Sequence, residues 1–179
     1  FVSVNHRLGP MGFSNFAGDA GEQFAASGNV GMLDLVASLE WVRDNITNFG
    51  GDPGNVTIMG QSGGGAKVTT VTAMPSAKGL IHKAVVLSGA GVKTGDKEYS
   101  EKLGAFILKE AGLKPKDINK MQEMPWQEYY ALANRASAKM LAEIGPVGGG
   151  MRMGFSPCAD GVYKEVPFNP EPIILNPAE

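Results

Sequence analysis

The pattern of hydrophobic positions predicts short strands along the chain. Residues 1–5 alternate between apolar and polar side chains, as a half-buried strand does. Residues 56–59 form a short β-branched run after a turn, and residues 84–87 are a continuous apolar run typical of a strand covered on both faces. A further apolar run begins near residue 172. Because such runs stand at both ends of the sequence, we expect the chain to be an internal piece of a larger fold.

Between these runs the apolar residues recur every three or four positions, which predicts helices. The helical stretches cover about 30–49, the residues after Ser62 up to about 74, about 97–111 and about 125–143. Strands that alternate with helices are typical of a mostly parallel sheet with crossover helices, so the predicted fold class is α/β. The last helix carries an aromatic stripe that we interpret as core, formed by Trp126, Tyr129 and Tyr130.

Composition excludes several classes of function. The 179 residues carry a formal net charge of −2, which gives no electrostatic attraction to nucleic acid or to an anionic membrane. No stretch approaches the roughly 20 apolar residues of a membrane-spanning helix. The single cysteine, Cys158, excludes an internal disulfide and a thiolate-rich metal site, and we expect it to be a small buried thiol. We predict neither a metal nor a cofactor.

The chemistry of the chain is concentrated in Gly60-Gln61-Ser62-Gly63-Gly64, which fits the pattern G-x-S-x-G. This motif follows a predicted strand and precedes a predicted helix, the context of a nucleophile elbow. The turn is so tight that we expect a Cβ at Gly60 or at Gly64 to clash, and we expect strained backbone at Ser62. The helix start favours negative charge, which makes the Gly63 N–H a candidate oxyanion donor.

A glycine-rich phosphate-binding turn is the alternative for the same residues. A phosphate loop needs G-x-x-x-x-G-K-[ST], and residues 60–67 do not have that order. The dinucleotide pattern G-x-G-x-x-G is also absent. The five residues alone therefore leave both an esterase and a phosphate-binding turn open.

Other segments resemble the type-B carboxylesterases, the family that includes the cholinesterases. The matching segments run in the family's order over nearly the whole chain: VSVNHRLGPMGF at 2–13, GNVGMLD at 28–34, WVRDNI at 41–46, FGGDP at 49–53, KGLIHKA at 78–84, SG at 88–89 and FSPCADG at 155–161. The resemblance implies a partial α/β-hydrolase fold, in which residues 1–179 are the central fragment of one catalytic domain. A helical segment at about 97–143 would follow the half that carries the nucleophile.

The resemblance also implies a serine esterase that works through an acyl-enzyme on small carboxylic esters. Ser62 would be the nucleophile and Gly63 N–H one oxyanion donor, whereas the HGGG loop, the triad acid and the triad histidine would lie outside the chain. An isolated fragment of this kind is expected to be inactive. A non-catalytic adhesion domain of the same fold is the alternative, although such relatives tend to lose the serine that this chain retains. The sequence does not indicate a cellular location.

Two positions depart from the family pattern. Gln61 stands where the family usually has Glu, which removes a negative charge beside Ser62 and argues against a preference for cationic substrates. Gly63 stands where Ala is common, which should leave the backbone donor intact.

Three further residues are candidates for roles near Ser62. Ser88 ends the strand beside the predicted nucleophile strand, so we interpret it as a supporting residue near the triad or as a turn closure. His82 lies at the entrance of that strand, far from the edge of Ser62. His6, where the family usually has Tyr, lies on the correct edge. The chain order of serine, acid and then histidine in such hydrolases argues against either histidine as the base.

Overall fold

A computed structural model describes residues 1–18, 20–89, 94–145 and 154–159, and the backbone of 174–175. Within these residues the α-helices are α1 (Gly9–Phe13), α2 (Val30–Asn45), α3 (Gly63–Thr72), α4 (Lys97–Glu110) and α5 (Trp126–Ile144). The strands are β1 (Thr57–Gln61), β2 (Lys83–Leu87) and β3 (Ile174–Leu175). The four longer helices and two of the strands lie where the hydrophobic pattern predicted them, with ends that differ by a few residues.

The strands form a parallel sheet in the order β1-β2-β3. Gly60 pairs with Val86 and Gln61 pairs with Leu87, so β1 and β2 end side by side. Helix α3 lies in the connection between these two strands, and parallel strands need such a crossover because the chain must return to the same end of the sheet. The α/β prediction with a mostly parallel sheet is therefore confirmed. Strand β1 extends two residues beyond the predicted end at residue 59 because Gly60 and Gln61 keep their partners on β2.

The strand predicted at residues 1–5 is wrong for the described structure. These residues have no assigned secondary structure, and the side chains of Phe1, Val2 and Val4 are exposed. An alternating pattern becomes a strand only when a neighbour satisfies its backbone N–H and C=O groups. None of the described strands pairs with this segment.

The chain divides into two compact units. The sheet unit contains Phe1–His6, Met32–Thr94 and β3, and the helical unit contains Arg7–Gly31 and the described residues from Gly95 to Ala159. The core of the sheet unit places α3 against the two longer strands through Val68, Ala84 and Val86, with Ile58 packed against them. The helical unit has its own core between α4 and α5, formed by residues that include Leu103, Ile107, Leu132, Ala133, Ala136 and Met140.

The aromatic stripe on α5 is only partly core. Tyr129 is buried, but Trp126 and Tyr130 are 60% and 46% exposed. Tyr130 is rotated about 100° from Tyr129 around the helix, which takes it off the buried face. The expected burial of Cys158 is confirmed, since this residue is only 4% exposed. Its backbone N–H donates to Asn29 Oδ1 at 3.0 Å.

Candidate active site

Ser62 is the single residue between the end of β1 and the start of α3. Its backbone has φ 54° and ψ −116°, and the residue is exposed. A positive φ is uncommon for a residue with a Cβ and is retained only where the surroundings impose it. The predicted sharp turn, with strained backbone and a serine on the outside, is therefore confirmed at the carboxyl end of the sheet.

Backbone hydrogen bonds hold Ser62 on both sides of this turn. Its N–H donates to Leu87 O at 2.9 Å, and its carbonyl accepts from the Ala66 N–H at 3.0 Å. The first bond fixes the turn to β2, and the second begins the ladder of α3. The N–H groups of Gly63, Gly64 and Gly65 precede that ladder and point out of the helix start.

The turn needs glycine at Gly60 and at Gly65. A Cβ on Gly60 would lie 2.4 Å from Gly64 O, and one on Gly65 would lie 2.1 Å from Ser88 O. The clash predicted at Gly64 is wrong, because a Cβ there has nothing within 4 Å among the described residues. It is the carbonyl of Gly64, and not its Cβ position, that approaches Gly60. On the helix side, the residue that must be glycine is therefore Gly65, which packs against Ser88 after the end of β2, and not Gly64.

Gly63 is exposed at the first position of α3. A Cβ added to it would meet only Lys67 Nζ, at 4.0 Å, among the described residues. The alanine common in the family would therefore fit here without moving the backbone. The neighbouring Gln61, the last residue of β1, is also exposed. The role of Gly63 N–H as an oxyanion donor stays a prediction.

Ser88 and Gly89 lie directly against the Ser62 turn. Ser88 follows β2, has φ 60° and is half-buried. Gly89 has φ 80°, and a Cβ on it would lie 2.1 Å from Ser62 O. The structure thus brings Ser88 to the end of the strand beside Ser62, as the sequence predicted. Its supporting role toward a triad stays a prediction.

His82 lies at the opposite end of the parallel strands. It precedes Lys83, the first residue of β2, and its Nδ1 accepts from the Val56 N–H at 3.1 Å. Because β1 and β2 run in parallel, Val56 and His82 stand at their amino ends, whereas Ser62 stands at the carboxyl end. The expectation that His82 is remote from Ser62 is confirmed.

His6 lies in an electrostatic cluster with two charged side chains of the sheet unit. Burial lowers the pKa of His6, the positive charge of Lys67 lowers it further, and the carboxylate of Asp34 acts in the opposite direction. The His6 Nε2 atom is shielded from solvent and has no hydrogen-bond partner within the described structure. His6 is therefore in its neutral form near pH 7, beside a lysine of α3.

Lys67 lies outside the G-x-S-x-G pattern, and the sequence motif does not predict a role for it. Its Nζ donates to Gly63 O at 3.4 Å, and burial lowers the pKa of its ammonium. The signal that could have found it is the spacing of four residues between Gly63 and Lys67, which puts both on one face of a helix. The motif covers only residues 60–64, so it gives no information about Lys67 on the next turn of the helix.

A wider survey of the described residues adds two observations. Among them no group of three or more His, Cys, Asp and Glu side chains could hold a metal ion. None of the helices in this part of the chain is long and apolar enough to cross a membrane.

Comparison with known proteins identifies the relatives of this fold. A model of the carboxylesterase family matches residues 1–177. The chain belongs to this family. Among characterised carboxylesterases, the para-nitrobenzyl esterase of Bacillus subtilis is 37% identical over 177 residues, which cover 99% of this chain and 34% of that protein. Carboxylesterase 1E of Rattus norvegicus is 49% identical over 94 residues, or 52% of this chain and 16% of that protein.

Solved structures of carboxylesterases share the fold. An esterase from the anaerobe Clostridium hathewayi, described as able to hydrolyze aliphatic aromatic polyesters, superposes with a TM-score of 0.73 at 36% identity, covering 96% of this chain and 35% of that one. The carboxylesterase EST55 of Geobacillus stearothermophilus gives a TM-score of 0.71 at 35% identity, covering 89% of this chain and 31% of that one. The chain is thus part of an α/β-hydrolase fold and spans about a third of the length of these bacterial carboxylesterases.

Proposed function

We propose that this chain is the nucleophile-bearing part of a serine carboxylesterase that hydrolyses small carboxylic esters. The observation that carries the proposal is the exposed Ser62 with φ 54°, held between β1 and α3. A phosphate-binding turn has no need of a strained serine at this point. The match to the carboxylesterase family over residues 1–177 supports the same assignment.

The proposed chemistry is acyl transfer to a serine hydroxyl. Ser62 Oγ attacks the ester carbonyl carbon while a histidine takes its proton. The tetrahedral intermediate then collapses as the histidine gives that proton to the leaving oxygen, which releases the alcohol and leaves an acyl-enzyme. Water then attacks the acyl carbonyl with the same histidine as base, and the histidine returns the proton to Ser62 Oγ as the acid is released. The oxyanion of each tetrahedral intermediate accepts a hydrogen bond from Gly63 N–H at the positive end of the α3 dipole.

The remaining triad members come, in this proposal, from segments outside residues 1–179. His82 is excluded by its place at the amino end of the sheet. For His6, the charge of Lys67 outweighs that of Asp34 in its effect on the pKa, so the ring is made less basic, whereas the acid of a triad stabilises the protonated histidine. The acid and the histidine are therefore expected in the part of the protein that its relatives have in addition to this region.

Covalent labelling tests the proposal. The full-length protein that contains this chain is treated with a fluorophosphonate probe, digested, and analysed by mass spectrometry. The expected result is a single modified peptide that contains Ser62 in the wild-type protein and no labelling of Ser62→Ala. The wild-type protein should also hydrolyse p-nitrophenyl butyrate, and Ser62→Ala should not. A folded protein that stays unlabelled would favour a non-catalytic adhesion domain.

A further inference from the structure

The first turn of α3 contains more glycine than its surroundings require. Gly65 admits no Cβ because of Ser88 O, but a Cβ at Gly63 meets only Lys67 Nζ at 4.0 Å, and one at Gly64 meets nothing within 4 Å in the described residues. Glycine loses more backbone freedom on entering a helix than any other residue. The turn that carries the Gly63 N–H therefore has little intrinsic stiffness beyond the two backbone hydrogen bonds of Ser62, and a side-chain contact adds to what holds it.

Lys67 supplies a contact that does so. Its ammonium donates to Gly63 O at 3.4 Å, across one turn of the same helix. The side chain is half-buried, and loss of solvent is the cause that lowers the pKa of its ammonium. A hydrogen bond from a charged donor is stronger than a neutral one, although this one is long and lies in an exposed place. The half-buried Lys67 side chain thus holds the Gly63 carbonyl, which lies in the peptide unit directly after the one that carries Gly63 N–H.

The ammonium lies near two other ionisable groups. His6 is close enough for the charge of Lys67 to lower the pKa of its imidazole, and Asp34 exerts the opposite effect on the same ring. All three residues belong to the sheet unit. A lysine on an open surface could swing away from Gly63 at little cost, whereas a half-buried lysine has fewer positions open to it.

We propose that Lys67 is a positioning residue for ester hydrolysis, which holds the glycine-rich first turn of α3 so that Gly63 N–H is aimed at the oxyanion. The proposal rests on the proposed function of Ser62 and Gly63. Lys67 touches neither substrate nor reacting atoms and acts through the Gly63 backbone. Its effect belongs to the transition state, because the oxyanion forms only there.

The test is a double-mutant cycle in the full-length protein, measured with p-nitrophenyl butyrate. Lys67→Met removes the ammonium and keeps the length of the side chain, Lys67→Arg restores a cation, and Lys102→Met, on an exposed position of α4, is the matched control. The expected result is a fall of about tenfold in kcat for Lys67→Met with KM within threefold, which corresponds to about 1.4 kcal/mol in the transition state. Lys67→Arg should recover at least half of that loss, and Lys102→Met should behave as wild type.

The second arm of the cycle places Lys67→Met in a Gly63→Ala background. Alanine stiffens the turn directly, so the loss caused by Lys67→Met should shrink to threefold or less. An equal loss in both backgrounds, or an unchanged kcat in Lys67→Met, overturns the proposal for Lys67. So does a loss of activity that follows only the fraction of unfolded protein, measured by circular dichroism, with normal kcat per folded molecule. If the wild-type protein itself shows neither turnover nor labelling, the proposed function fails first and this inference fails with it.

Discussion

Ser62 and Ser88 are paired at the carboxyl edge of the sheet, where each follows the last residue of one of two neighbouring parallel strands. Both have positive φ, 54° and 60°. The Ser62 N–H bonds to Leu87 O at 2.9 Å, so the turn after β1 is built directly on the end of β2. A strained conformation of this kind persists because two strand ends determine it together.

The first prediction concerns the glycine that packs between these two turns. Gly65→Ala places a Cβ 2.1 Å from Ser88 O, and neither the helix nor the strand end can yield without moving Ser62. We expect Gly65→Ala to lower the free energy of unfolding of the full-length protein by about 2 kcal/mol. We also expect it to reduce labelling of Ser62 by a fluorophosphonate at least tenfold.

Gly64→Ala is the control for that experiment. It adds the same methyl group one residue earlier, where nothing lies within 4 Å in the described structure. Because alanine has the higher helix propensity, we expect the free energy of unfolding to stay the same or to rise by up to about 1 kcal/mol. Equal destabilisation by both substitutions, measured by urea unfolding, would show that the approach of Gly65 to Ser88 does not control the turn.

Comparison of the turn with its sequence shows which features can be predicted from a motif. The strand before Ser62 and the helix after it follow from local hydrophobic patterns, and the strain at Ser62 follows from the tight connection between them. The requirement at Gly65 was not predictable in this way, because its cause is a carbonyl 23 residues away, at Ser88. The contact of Lys67 with Gly63 is local, but nothing in the G-x-S-x-G pattern refers to it.

The rest of the chain shows the same division between local and non-local causes. Residues 1–5 have a strand pattern but no described strand beside them, and so they form no strand. On α5 the pattern identified the buried Tyr129 but also assigned the exposed Trp126 to the core. Burial depends on the surface a neighbouring element covers, which periodicity alone does not specify.

The second prediction concerns the charge beside the nucleophile. Gln61 is exposed next to Ser62, so Gln61→Glu would add a negative charge close to any bound ester. We expect the ratio of kcat/KM for a choline ester to that for its neutral 3,3-dimethylbutyl analogue to rise by about threefold to tenfold, on the scale of a partly screened charge pair. The rise should diminish at high salt. A ratio that stays constant would indicate that residue 61 lies too far from the alcohol group to influence it.

The third prediction concerns residues 1–179 taken alone. If the base and the acid of the triad lie outside them, purified residues 1–179 should hydrolyse p-nitrophenyl butyrate no faster than a Ser62→Ala version of the same polypeptide. The comparison requires both samples to be folded, as checked by circular dichroism, because an unfolded polypeptide would be inactive whichever residue stands at position 62. Turnover that disappears in Ser62→Ala would mean that a base within this chain, with His6 the first candidate, serves Ser62.

The fourth prediction concerns the helical unit, where Tyr129 of α5 is hydrogen-bonded in a buried place. Its hydroxyl donates to Ser14 Oγ at 2.6 Å, and Ser14 Oγ donates to Pro10 O at 2.8 Å. Burial raises the pKa of Tyr129 to about 12, and the bond to Ser14 opposes this only in part. The neutral phenol is therefore the form that the folded state favours.

A raised pKa makes the contribution of Tyr129 to stability depend on pH in one direction. Below about pH 10, the ordinary pKa of tyrosine, the phenol is neutral in both states and its contribution is complete. Between about pH 10 and 12 the unfolded chain ionises first, so the contribution is lost as the pH rises.

We expect Tyr129→Phe to lower the free energy of unfolding by about 1 kcal/mol at pH 8, because one buried hydrogen bond is removed. The difference from wild type should close by about pH 11, measured by urea unfolding at each pH. A difference that stays constant from pH 8 to 11 would mean that the phenol ionises as easily in the folded protein as in water.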